Sequence, residues 1–166
     1  MNVNFAILAV SAIIPLIMGF IWYHPKVFGT VWMVEAGLDE EKLKGANMIK
    51  IFAFTYALSL MAAMVIQFMV IHQYSVYSIL AEEPGINDPN SEIGIYLNDF
   101  IEKFGNNYRT FKHGAFHGVL TGLFLALPLI GINGMFERRS FKYIIINTGF
   151  WIVSFAIMGG IICAFA

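Results

Sequence analysis

Four stretches of the chain contain no Asp, Glu, Lys or Arg: residues 1–25, 51–81, 113–136 and 143–166. A helix rising ~1.5 Å per residue crosses the ~30 Å hydrocarbon core of a bilayer in about 20 residues, so each stretch can span a membrane. The expected fold is all-α and polytopic, with transmembrane helices at about 5–23, 51–78, 113–136 and 143–166. Of the 166 residues 58% are hydrophobic and 13% charged, about half the charged share of a soluble domain, which excludes a water-soluble fold. The runs and their flanks use most of the chain, so residues 1–166 read as one four-helix domain with a polar external loop at about 81–112. The first run has no basic residue before it and no small-residue cleavage pattern after it, and reads as a retained helix rather than a signal peptide.

A net charge of −1 offers no basic field for nucleic acid. The basic residues are unevenly placed. Lys26, Lys42, Lys44, Lys50, Arg138, Arg139 and Lys142 lie in the loops after helices one and three, whereas the opposite side has Lys103, Arg109 and Lys112 among six acids. The positive-inside bias therefore predicts a multi-pass protein of the cell (inner) membrane, with loops one and three cytoplasmic and both termini outside. The uncharged start, Met1-Asn2-Val3-Asn4, fits translocation of the N-terminus.

Helix one ends in Trp22-Tyr23-His24-Pro25, whose amphipathic rings suit the headgroup layer and whose proline breaks the chain there. Residues 27–36 place Phe28, Val31, Trp32 and Glu35 at helical spacing, predicting a short interfacial segment closed by Gly37, then a second short turn from Asp39. Helix two, Ile51 to about Ser78, is the longest expected helix and would have to tilt or protrude. In the external loop, Ile93, Leu97, Phe100, Ile101 and Phe104 recur at helical spacing, predicting an amphipathic helix whose acidic polar face suits capping the bundle or docking a partner.

Helix three carries Gly114, Gly118 and Gly122, two overlapping small-xxx-small steps that make one face a groove for another helix. Helix four brings Ser154, Gly159 and Gly160, so helices three and four are expected to pair. Pro128 should bend helix three. Pro15-Leu16-Ile17 and Pro128-Leu129-Ile130 form a faint internal echo. Gln67 and Asn147 are each expected to make one interhelical hydrogen bond.

The segment Gly19-Phe20-Ile21-Trp22-Tyr23-His24-Pro25-Lys26-Val27-Phe28-Gly29-Thr30-Val31-Trp32, with Asn133 to Arg139, Ile146 to Trp151 and Met158-Gly159-Gly160, resembles the small membrane proteins of domain-of-unknown-function family 1761. The resemblance implies a four-helix integral membrane protein and implies no activity. His24 fills what looks like a variable slot of that pattern.

Ionisable groups within a bilayer are costly and draw functional suspicion. Here they are histidines: His72 near the outer end of helix two, and His113 with His117 at i, i+4 at the outer start of helix three. Two imidazoles on one helix face and a third on a facing helix can hold a metal, and haem needs only two. Met61, Met64 and Met69 on helix two point toward copper. The ordinary alternative is that these histidines bond to carbonyls or water, with no cofactor. Cys163 reads as a small buried hydrophobe, and Asp88, Asn90 and Glu92 as a turn and cap rather than a calcium loop. A second cluster on the inner surface comprises Trp22, Tyr23, His24, Pro25, Glu137 and Arg138, with Glu137 expected to accept from an arginine near helix one of a partner or to pair locally with Lys142 or His24, and the cluster to close the bundle. No hydrolytic triad, phosphate-cradling loop or facing carboxylate pair is present. The expected function is therefore non-enzymatic association within the lipid bilayer, as a homo-oligomer or a subunit of a larger membrane complex. The alternative is an oligomeric small-molecule or ion transporter, or a metal- or haem-binding protein using His72, His113 and His117.

Overall fold

The computed structural model describes residues 3–166, so Met1 and Asn2 of the uncharged start lie outside the described residues. Those residues form helices and turns without a strand. Four segments are long and apolar enough to cross a membrane: Phe5–Trp22, Met48–Val70, Phe111–Phe136 and Phe141–Phe165. They alternate in direction. At one end the loops after the first and third spans meet, where Arg139 Nη1 donates to the Ala36 carbonyl at 2.9 Å and Lys142 Nζ lies 3.9 Å from Glu35. At the other end Arg109 donates to the Cys163 carbonyl at 2.8 Å and to the Ala166 oxygen.

Side-chain caps explain where most elements begin. Asn4, Asn47, Ser91, Thr110 and Ser140 each accept from a backbone N–H three residues on, satisfying a donor that the first helical turn leaves open. The first span is two helices, α1 (Phe5–Ser11) and α2 (Ile14–Trp22), with Pro15 in the first turn of α2. A π-turn, Pro25–Gly29, leads into α3 (Thr30–Ala36), which Gly37 closes in the left-handed conformation at φ 69°, and α4 (Glu40–Leu43) follows its Asp39 cap. The third span resembles the first in its construction. α8 (Phe111–Thr121) passes through a π-turn at Gly122–Ala126 into α9 (Leu127–Phe136), whose first turn holds Pro128. In each span the helix unwinds just before a residue that cannot donate to the ladder.

The second span departs from the expected 51–78 helix. α5 (Met48–Val70) ends at Val70, Ile71 is extended, and α6 (Gln73–Ile79) starts a separate helix. Helix two is thus neither the longest nor forced to tilt by its length. The break has partners: the Cys163 thiol donates to the Val70 carbonyl at 3.3 Å, and Gln73 Nε2 donates to the carbonyls of Phe104 and Asn107 at 3.3 and 2.9 Å. Between α6 and α8 comes the amphipathic helix α7 (Glu92–Phe104), capped by Ser91.

The fourth span, α10 (Phe141–Phe165), is the hub. Half of its most apolar window is buried, against 17–28% for the other three spans, which leave Phe54, Leu58, Phe68 and Phe124 exposed as a lipid-facing surface would require. Its broadest contact is with α8, and glycines permit it. A methyl group at Gly114 would strike the Gly159 carbonyl, one at Gly118 the backbone at Phe155, and one at Gly122 the Cα of Ile152 at 2.6 Å. One at Gly160 would come 2.5 Å from the Phe111 ring. The groove on the third span is therefore filled by the chain's own last helix. Val70, Ile71, Met158, Ile162 and Cys163 close a core around this junction.

Candidate metal centre

Two elements bring three histidines together. On one side, the break between α5 and α6 sets His72 between buried Ile71 and Gln73, the latter fastened to the Phe104 and Asn107 carbonyls. On the other, Thr110 caps α8 by accepting from the His113 N–H at 3.3 Å, and the i, i+4 spacing of His113 and His117 puts both rings on one face.

The Nε2 atoms of His72 and His113 are 3.0 Å apart. Ring centroids stand 5.0 Å apart for His72 and His113, 4.9 Å for His72 and His117, and 4.5 Å for His113 and His117. One ring nitrogen from each lies within 4.8 Å of the others; His72 is exposed and its two partners are half-buried. Around a tetrahedral ion with bonds of ~2.0–2.1 Å, ligand nitrogens sit roughly 3.3 Å from each other, a spacing near that of these three rings.

The surroundings leave room for a further ligand. A cavity of about 320 Å³ beside His72 is lined by Gln73, Phe100, Phe104 and Tyr108. Another of about 390 Å³ beside His117 is lined by Met69, Leu120, Thr121 and Phe124. Of the three methionines only Met69 approaches the site, its sulfur 3.5 Å from Thr121 Oγ1, which also donates to the His117 carbonyl at 2.8 Å. The Met61 side chain is exposed along the bundle. Asp88 serves as a turn, accepting from the Asn90 N–H at 2.9 Å.

Sequence reasoning missed Tyr108, whose ring centroid lies 5.2 Å from that of His113 on a left-handed backbone at φ 61°. Its signal was faint: the preceding Gly105-Asn106-Asn107 marks a turn. Arg109, a cation at a helix end on the acidic side, now has a reason, since it satisfies the last carbonyls of α10.

The residues of the second cluster divide. Trp22 Nε1 donates to the Ile146 carbonyl at 3.0 Å and the Tyr23 hydroxyl to Asn147 Oδ1 at 2.8 Å, tying the first span to the fourth. Burial pushes the Tyr23 phenol pKa up. Glu137 meets neither His24 nor Lys142. It lies 3.4 Å from Arg139, Lys142 turns to Glu35, and His24 Nδ1 accepts from the Lys26 N–H at 3.2 Å as Pro25 starts its turn. Arg138 takes a left-handed backbone at φ 56°, reversing the chain between spans. Asn147 makes its interhelical bond, whereas Gln67 Oε1 is buried without a partner among the described residues. Cys163 is buried, with its sulfur also 3.2 Å from the Tyr108 carbonyl.

A family model described as protein of unknown function (DUF1761) matches residues 6–163. The chain belongs to that family. No curated protein and no solved structure matches it.

Proposed function

We propose that this member of the DUF1761 family is a non-enzymatic membrane protein that binds a divalent borderline metal ion, Zn2+ or Cu2+, between His72, His113 and His117. The supporting observation is the convergence of three imidazoles from two spans, with ligand nitrogens within 4.8 Å of one another. Imidazole suits both ions. Three neutral ligands leave the charge of the ion uncompensated, and the flanking cavities leave a coordination position open. Such a site favours exchangeable binding over a permanent structural role. On the positive-inside orientation it faces the outer side of the membrane.

Self-association through the glycine groove yields to this reading because α10 occupies the groove. An oligomer or accessory subunit would use another face.

The test is titration of the detergent-purified protein with Zn2+ and Cu2+ alongside elemental analysis. The expected result is saturable binding of one ion per chain, weakened at least ~10–100-fold in His113→Ala or His117→Ala. No saturable binding by the folded wild type, or equal binding by the variants, would overturn the proposal.

A further inference from the structure

The end of the bundle carrying the basic loops has a feature that the metal reading leaves untouched. A cleft of about 440 Å³ opens among α2, the start of α5 and α3, with walls that include Leu16, Gly19, Phe20, Trp32, Phe52 and Phe150. Its surface is hydrocarbon almost throughout. Aromatic rings stiffen it: Phe20 stands 5.4 Å from Phe52, and Tyr23 lies between Trp32 at 4.9 Å and Phe150 at 5.4 Å. The segment that carries the family resemblance, from Gly19 to Trp32, supplies much of the wall.

Depth and charge identify the occupant. The cleft runs from Tyr23 and Met48 at the loop end to Pro15 and Thr55 inside the bundle. That is roughly 10–12 Å of helix at ~1.5 Å per residue, close to the ~15 Å of one leaflet of hydrocarbon. An extended hydrocarbon chain matches that depth, and basic residues at the loop end favour an amphiphile with an anionic headgroup over a wholly apolar partner helix. At the mouth, Lys26 follows Pro25 and Lys50 precedes the lining residue Ile51, and neither has a carboxylate partner among the described residues. The indole N–H of Trp32 is buried and lacks an acceptor there.

We propose that this cleft holds one acyl chain of an anionic phospholipid from the leaflet on the basic side of the protein. The phosphate pairs with Lys26 and Lys50, and an ester carbonyl supplies the acceptor that Trp32 lacks.

Gly19 provides a clean test, because a methyl group there meets nothing within 4 Å. Gly19→Leu therefore grows into the cleft while replacing a poor helix former with a good one. The protein is reconstituted in vesicles of equal phosphatidylglycerol and phosphatidylcholine, re-extracted in mild detergent, and its retained lipid identified by native mass spectrometry with helicity checked by circular dichroism. Wild type should retain one phosphatidylglycerol per chain. Gly19→Leu, and independently Leu16→Trp, should lose it at unchanged helicity, and K26Q/K50Q should lose the preference over phosphatidylcholine. Absence of retained lipid on wild type, retention unaffected by either filling substitution, or an undiminished headgroup preference in K26Q/K50Q would overturn the assignment. So would a neutral prenyl lipid found in its place on protein purified directly from native membrane.

Discussion

One backbone-to-backbone contact between α8 and α10 yields a sharp prediction. At Gly118 a methyl group would stand 2.5 Å from the carbonyl carbon of Phe155 and 2.7 Å from the Cα of Ala156. Both atoms are backbone of α10 and cannot rotate aside, so Gly118→Ala must part α8 from α10 by nearly 1 Å. A gap of that size forfeits roughly a quarter to a half of the dispersion energy along the seam, and overpacking of this kind costs about 1–3 kcal/mol. Alanine's helix advantage over glycine, at most about 1 kcal/mol, offsets only part. A net loss of about 1–2 kcal/mol is expected.

Gly131, farther along the same span, is the control. There a methyl group meets only Ile144 Cγ2 at 4.0 Å, an ordinary contact, so Gly131→Ala keeps the helix gain and should be neutral or stabilising by up to ~1 kcal/mol. Unfolding of both variants in mixed micelles, followed by circular dichroism, measures the difference. Parting α8 from α10 also moves His113 and His117 relative to His72, so Gly118→Ala should bind Zn2+ more weakly while Gly131→Ala should not. If Gly118→Ala is as stable as wild type, or no less stable than Gly131→Ala, the intramolecular groove is refuted.

Two further outcomes follow from the end of the bundle that carries the histidines. Metal binding needs neutral imidazoles, so protons and Zn2+ compete for the three-histidine site and its Zn2+ affinity should fall as the solution is acidified. The thermal stabilisation by Zn2+ should disappear in parallel; a Zn2+ affinity that does not change on acidification while the protein stays folded contradicts histidine ligation. Arg109→Gln removes the cation from the last carbonyls of α10, a charge-assisted contact worth roughly 1.5–3 kcal/mol, and should accelerate amide hydrogen exchange near Cys163 to Ala166 while leaving exchange near Phe141 unchanged.

Charge-free runs locate the spans because lipid penalises charge residue by residue, a local property that needs no tertiary knowledge. The caps at Asn47, Thr110 and Ser140 are local for the same reason. Ile71 and His72 are different. No glycine or proline marks the break there, and it persists because Cys163, 93 residues away, takes up the Val70 carbonyl while Gln73 reaches the Phe104 and Asn107 carbonyls. The histidine triad was visible as three residues at similar depth, but their distances depended on that break. Glu137 shows the same limit: sequence proximity and a guessed topology offered Lys142 and His24, while the structure joins Lys142 to Glu35 of the first loop.

Both halves of the three-histidine cluster rest on one short stretch of α10, which contributes no histidine to it. A methyl group at Gly114 would meet Gly159 and the Cβ of Cys163, which fixes how α8 presents His113 and His117. The thiol of Cys163 holds the Val70 carbonyl, which fixes where α5 stops and His72 begins. Close-packed helices move as units rather than deforming, so residues 159–163 set the separation of the three imidazoles although none of them offers a ligand. At the opposite end α10 receives Trp22 and Tyr23 at Ile146 and Asn147, anchoring the wall of the lipid cleft to the same helix. A seam shift at Gly159 therefore reaches the histidines within one or two turns of α10, whereas the cleft, more than two further turns along, is held by separate hydrogen bonds. Metal affinity and lipid retention should consequently respond to different substitutions, and that separability lets each proposal be tested without the other.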